Sequence, residues 1–170
     1  MHKELFMKKL QKIIDELSTW ASVVLCAAMM IVLLANVILR FIPGIGGFSW
    51  YMEGGQYLNV WSMLIIGVGI SVTRTHLKVA LADDLAMKAS PLLYKIQQGF
   101  VALAIIVFYL VMAYSGAIYA MKSKQAISTM PSLKMGMVYW MFPVAGVLSA
   151  IATAVDYIIF LREFKEGEAK

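Results

Sequence analysis

The chain has 170 residues, of which 61% are hydrophobic and 15% are charged, and its mean hydropathy is +0.78. A soluble domain of this size cannot bury so much apolar surface, so these values exclude a water-soluble protein and indicate one whose solvent is the bilayer. The formal net charge of +5 does not indicate nucleic-acid binding, because the basic residues follow the pattern of membrane topology. Cys26 is the only cysteine, which excludes an intrachain disulfide and a cysteine metal cluster.

Residues 1–17 are apolar on one helical face and lysine-rich on the other. This pattern predicts a cytoplasmic amphipathic segment that lies on an anionic membrane surface. Packing against a partner helix is the alternative. The apolar run that follows is too long for the core of a signal peptide, so we expect the segment to stay uncleaved.

Hydrophobic runs predict an all-α integral membrane protein with four transmembrane helices plus amphipathic interfacial helices. Ser90 and Pro91 form a plausible N-cap and first-turn proline for the third helix, and Pro143 should kink the fourth or free a carbonyl. The membrane domain covers 18–161, with spans at about 18–40, 49–73, 97–121 and 135–161, an interfacial helix at about 76–90 and a charged tail at 162–170.

The lysines and arginines determine the predicted orientation. With the N-terminus inside, the inner segments contain 11 of these residues and the outer segments contain 4. The positive-inside rule therefore places both termini in the cytoplasm.

The connection between the first two spans joins Arg40 to Glu53 through a turn-prone stretch that contains Pro43 and three glycines. Charges at membrane depth are costly, so they normally pair or face protein. We therefore hypothesise that Arg40 and Glu53 form a buried or half-buried pair that stabilises this turn. Alternatively, each charge marks a helix end and Arg40 extends towards the head groups.

Two further patterns concern packing. Glu53, Tyr57 and Trp61 are spaced by four residues, with Gln56 and Asn59 nearby, so this polar side of the second span should face another protein or its own bundle. Small residues that permit close helix approach recur in the fourth and second spans, and the sequence leaves open whether these contacts are internal or with a partner. These small residues are Gly146, Ala150 and Ala154 in the fourth span, and Gly67 and Ser71 in the second.

The sequence shows no constellation expected of an enzyme. His2 and His76 are the only histidines and neither is central in a span, which argues against a bis-histidine haem site. No G-x-S-x-G motif is present, and we predict no catalytic residue, metal or cofactor. An internal repeat, which self-sufficient transporters often show, is also missing, so the chain has the character of a subunit.

Several motifs, in order and spacing, resemble the small membrane subunit of tripartite ATP-independent periplasmic (TRAP) transporters, the DctQ-like family. The similarity extends over about residues 18–160. Its motifs are Asn36-x3-Arg40, Trp50-x2-Glu53, Trp61, Gly67 and Gly69, His76-Leu77-Lys78-Val79, Pro131-Ser132-Leu133, Tyr139-Trp140 and Pro143-x2-Gly146. Lys134 and Gly136 depart from the more apolar lead-in to the fourth helix that this family would have.

This resemblance implies a non-catalytic scaffold subunit in a bacterial inner membrane. Its partners would be a large multi-span subunit that moves substrate with sodium by an elevator motion, and a periplasmic substrate-binding protein. The implied substrate is a carboxylate, either a sialic acid or a C4-dicarboxylate; overall similarity favours sialic acid. The alternative is an independent small four-helix carrier or channel that uses the polar face of the second span.

The candidate site residues divide into three groups by expected role. The structural or interface group is Asn36, Arg40, Trp50, Glu53 and Trp61. Lys122, Lys124 and Lys134 could contact an acidic binding protein or be solvated loop charges. Arg74, His76 and Lys78 could bind phospholipid head groups or act only as a topogenic signal.

Overall fold

The computed structural model describes residues 2–44, 46–73 and 90–168. Within them, four helices are long and apolar enough to cross a membrane, so the all-helical membrane fold predicted from the sequence is confirmed. The predicted interfacial helix at 76–90 lies outside the described residues except for Ser90. The elements are α1 (His2–Arg40), α2 (Tyr51–Thr73), α3 (Pro91–Lys122), β1 (Ala126–Ile127), β2 (Met130–Lys134), α4 (Met135–Tyr139) and α5 (Met141–Glu168).

Helix α1 is one continuous helix of 39 residues. Its sequence contains neither glycine nor proline, so nothing interrupts the hydrogen-bond ladder between the amphipathic segment 1–17 and the first span. The lysine-rich segment and the first hydrophobic span are therefore parts of one helix.

Helices α1 and α2 pack as an antiparallel pair with a regular register. Each step of seven residues forwards on α1 matches a step of seven residues backwards on α2, which is the repeat of a left-handed coiled coil. The small residues Gly55, Ser62 and Gly69 form the α2 side of this contact. The matched positions are Asp15 with Gly69, Ser22 with Ser62, and Met29 with Gly55, which Leu33 also contacts; Asn36 with Phe48 continues the register just before α2.

The centre of the α1–α2 contact is a reciprocal serine pair. The Ser22 hydroxyl donates to the Ser62 carbonyl at 3.1 Å, and the Ser62 hydroxyl donates to the Ser22 carbonyl at 3.0 Å. Both side chains are buried, and their oxygens lie 2.8 Å apart. Such bonds between hydroxyls and opposing carbonyls satisfy polar groups that lipid cannot satisfy.

Helices α3 and α5 approach so closely that backbone meets backbone. A Cβ atom placed on Gly146 would lie 2.8 Å from the Tyr109 carbonyl oxygen and 3.0 Å from the Ala113 Cβ. On α3, Gly116 similarly lies against Phe142. The small-residue series of the fourth span therefore packs inside the protein at Gly146, the internal alternative that the sequence left open.

The helices pack in the order α1, α2, α5, α3. Helices α2 and α5 run parallel to each other and antiparallel to α1 and α3, so the start of α1 and the end of α5 lie at one end, called the terminal end. The other end contains the α1–α2 connection, the β1–β2 hairpin and α4, and is called the hairpin end.

The two predicted proline effects are confirmed. Ser90 caps α3 by accepting a hydrogen bond from the Leu92 N–H at 3.3 Å, with Pro91 in the first turn. The fourth span is interrupted at Trp140, between α4 and α5, three residues before Pro143. Proline has no N–H to offer the Tyr139 carbonyl, and its ring disturbs the preceding turn.

We predict that Gly146→Ala destabilises the helix pair by about 1–3 kcal/mol, because the new methyl group meets the α3 backbone rather than a flexible side chain. Thermal unfolding of the purified chain in detergent measures this. Gly67→Ala is the matched control: its Cβ would lie 4.0 Å from the Tyr109 hydroxyl, an ordinary contact, so we expect unchanged or slightly higher stability. Equal melting temperatures for the two variants would contradict the packing described here.

Candidate interaction site at the hairpin end

Asn36 organises the connection between α1 and α2. Its side chain is 1% exposed, and its Oδ1 atom accepts a hydrogen bond from the Phe48 N–H at 2.8 Å. A Cβ atom on Gly47 would overlap Oδ1 of Asn36 and lie 3.1 Å from the Arg40 Cγ, so a larger residue there would displace the Asn36 side chain. Gly44 has a φ of 85° in the same turn, a conformation that favours glycine.

Aromatic side chains cover the entry to α2. Phe48 and Trp50 stack with ring centroids 5.3 Å apart. Trp50 also lies over Gly54, where a Cβ atom would be 2.9 Å from the indole ring. The predicted interface residue Trp50 therefore packs against its own chain at the start of α2.

The structure does not bring Arg40 and Glu53 together as an ion pair, so the pairing hypothesis is wrong. Arg40 is exposed at the last turn of α1, and no ion pair joins it to Glu53 in the part of the chain that the structure describes. Glu53 is two residues from Gly55, which faces α1, and two residues correspond to about 200° around a helix. Its carboxylate therefore points away from α1, and Oε2 accepts a hydrogen bond from the Thr129 hydroxyl.

The stripe Glu53, Tyr57 and Trp61 faces the protein's own bundle. Glu53 contacts the hairpin, and the Tyr57 hydroxyl donates to the Met135 sulfur at 3.5 Å. The Trp61 indole N–H donates to the Val138 carbonyl at 3.2 Å, beside the interruption of the fourth span. These contacts explain the four-residue spacing.

The β1–β2 hairpin was not predicted; the sequence suggested only a loop. Ile127 anchors it and is 0% exposed. The Met135 N–H bonds to the Gln125 carbonyl at 2.9 Å, and the Gly136 N–H bonds to the Ser123 carbonyl at 2.9 Å. The strands are two and five residues long, too short to show a strand periodicity in the sequence.

The hairpin end is positively charged. Lys122, Lys124 and Lys134 are exposed, as is Arg40. Among the described residues of this end, Glu53 is the one acidic side chain, and it is engaged with Thr129. Arg74, His76 and Lys78 lie outside the described residues. Within the described ranges no three His, Cys, Asp or Glu side chains are grouped so as to hold a metal ion.

Most of the chain is similar to a known family. A family model described as "Tripartite ATP-independent periplasmic transporters, DctQ component" matches residues 29–163. The chain belongs to the DctQ family. No curated protein and no solved structure matches it.

Membership of the DctQ family identifies this protein as the small membrane component of a TRAP transporter. It is a transporter component and not an enzyme, and it resides in the inner membrane. The matched range contains Asn36, the stripe on α2 and the hairpin, so the hairpin end described above lies within the DctQ match.

We predict that Asn36→Ala lowers the stability of the DctQ protein by about 1–3 kcal/mol, since the variant loses a buried hydrogen bond that closes the α1–α2 connection. Thermal unfolding in detergent reports the change. Val37→Ala on the adjacent position, where the valine is 51% exposed, is the control and should have a small effect. An Asn36→Ala protein as stable as the control would show that this bond does not stabilise the turn.

We further predict that Thr129→Val loosens the hairpin, because the half-buried Glu53 carboxylate loses its donor, at a cost of about 1–3 kcal/mol. Hydrogen exchange of the backbone amides at 126–134 should become faster. Ser128→Ala removes an exposed hydroxyl from the same tip and should leave exchange unchanged. Identical exchange in the two variants would show that the Glu53–Thr129 bond does not hold the hairpin.

Proposed function

We propose that this DctQ protein is a non-catalytic scaffold bound to the large elevator-type membrane subunit of a sodium-driven TRAP importer. The imported solute is a carboxylate, a sialic acid or a C4-dicarboxylate, and a periplasmic binding protein delivers it. The observation that carries the proposal is the DctQ match over residues 29–163.

Internal packing supports a rigid role. An elevator mechanism requires one part to stay fixed while another slides. The α1–α2 pair is fastened by reciprocal bonds between Ser22 and Ser62, and the α3–α5 pair by direct backbone approach at Gly146. A close-packed interface of this kind keeps one defined arrangement of side chains and does not deform gradually.

The outer surfaces support broad anchoring in lipid. Large apolar side chains are exposed along α1 and α3, which lie at the two ends of the helix order. Lipid tails can cover such surfaces without any polar partner. The exposed side chains include Trp20, Val24, Ile31, Leu34 and Ile38 on α1, and Phe100, Leu103, Phe108 and Val111 on α3.

In the proposed orientation the hairpin end faces the periplasm and the terminal end faces the cytoplasm. The exposed cations Lys122, Lys124 and Lys134 would then attract an acidic surface of the binding protein and accelerate its docking. Arg74, His76 and Lys78 would lie on the cytoplasmic side, where they could contact phospholipid head groups.

An independent carrier is less well supported by the geometry. It would require Glu53, Gln56 and Asn59 to line one path through the second span. Glu53 instead bonds to Thr129, whereas Gln56 lies on an exposed face of α2.

The test is gentle detergent purification of the tagged chain from its native host, followed by mass spectrometry and by transport assays in proteoliposomes. We expect a large multi-span protein in roughly equal amount. Sodium-dependent uptake of sialic acid or a C4-dicarboxylate should require the large subunit, this chain and the binding protein together. Uptake by this chain alone, or purification as a homo-oligomer without the large subunit, would overturn the proposal.

A further inference from the structure

We propose that one exposed face of α2 is the surface on which a transmembrane helix of the large membrane subunit packs, and that Gln56 and Asn59 recognise this helix by hydrogen bonds. The inference rests on the proposed function and adds the contact surface and the chemistry of recognition. The face, called the carboxamide face, consists of exposed Met52, Gln56, Val60 and Met63 and of half-buried Asn59.

The carboxamide face is distinct from the two faces of α2 that pack inside the protein. Gly55 and Ser62 face α1, and the stripe that begins at Glu53 faces the hairpin and α4. On the third side Met52 is 57% exposed and Met63 is 65% exposed. Gln56 and Asn59 are three residues apart, so they are neighbours on this side.

Both carboxamides belong to the membrane-spanning part of the chain. They lie within the apolar span Tyr51–Val72. The seven-residue register between α1 and α2 places Gln56 level with Ala28, between Ser22 and Asn36 in the apolar part of α1. Gln56 and Asn59 lie about 8 Å and 12 Å along the helix from Tyr51, the first residue of this span.

Neither Gln56 nor Asn59 has a hydrogen-bond partner among the described residues. Each carboxamide offers a carbonyl acceptor and two N–H donors, and lipid tails can satisfy none of them. The other carboxamides of the described spans all have interaction partners: Gln11, Asn36, Gln97 and Gln98. Two adjacent carboxamides without partners in an apolar span therefore indicate a protein neighbour.

The remaining exposed faces have the composition of lipid contacts. The outward side of α5 presents only apolar side chains along Val144, Leu148, Ile151 and Ile158. Exposed Thr19 and Ser115 differ from the carboxamides, because a hydroxyl can bond to a carbonyl of its own helix. Tyr114 on α3 is also exposed, but it is a single hydroxyl, whereas the carboxamide face places two adjacent amides on one surface.

The side chains around the carboxamides suit a helix as the occupant. Met52 and Met63 are unbranched and adapt to an irregular neighbouring surface, and Val60 between them is small. A partner helix with small residues would expose backbone carbonyls and hydroxyls to the two amides. The large subunit is the occupant we favour over a second copy, since the family match is to one component of a tripartite assembly.

The test compares Gln56→Leu, Asn59→Leu and the double variant in cells that produce the complete transporter. Loss of two interhelical hydrogen bonds should weaken the association of this chain with the large subunit by about tenfold. About tenfold less large subunit should therefore co-purify with the double variant. Its own thermal unfolding should be unchanged, because neither side chain bonds within the described chain. Ser115→Leu, a polar-to-leucine change on exposed α3, is the matched control and should retain the large subunit.

A photo-crosslinking amino acid at position 56, and another at position 24 on the apolar side of α1, identify the neighbour directly. Crosslinks from position 56 to the large subunit, with none from position 24, support the inference. Crosslinks only to lipid, or to a second copy of this chain, overturn it. If wild-type protein binds the large subunit while position 56 does not crosslink to it, this inference fails and the proposed function stands. If wild-type protein binds no large subunit, the proposed function itself fails.

Discussion

Lipid removes the hydrophobic force that would otherwise hold helices together, so this protein depends on close approach and on hydrogen bonds between helices. The reciprocal bonds of Ser22 and Ser62 show both effects at one point. Small residues at seven-residue intervals on α2 extend the contact along α1, and Gly146 allows the same approach between α3 and α5. The two helix pairs then meet through α2 and α5.

The hairpin end shows how polar groups are satisfied where regular helices stop. Asn36 accepts the Phe48 N–H in the first connection, and Glu53 accepts the Thr129 hydroxyl at the hairpin. The Trp61 indole donates to the Val138 carbonyl beside the turn disturbed by Pro143. Each of these polar side chains has a partner within the chain, so this end is built from defined contacts and is more than a pair of loops.

Gln56 and Asn59 stand apart from this pattern of internal satisfaction. They share one face of α2 with flexible methionines, whereas the neighbouring faces of the same helix are occupied by α1 and by the hairpin. For a small component of a transporter, such a face is a natural place for a larger membrane partner. Apolar α1 and α3 can meanwhile remain in lipid, so one chain would combine anchoring with specific attachment.

The sequence by itself determined the class, the four hydrophobic helices, the capping of α3 by Ser90 and the effect of Pro143, because these follow from composition and from local backbone chemistry. Its motifs also indicated the family. Only the tertiary structure decided the partners of the polar side chains, since Glu53 bonds to Thr129 and not to Arg40. It also decided that the loop before the fourth span is a hairpin anchored by Ile127. Thr129 follows Glu53 by 76 positions in the sequence, and only the rotation and register of packed helices bring the two together.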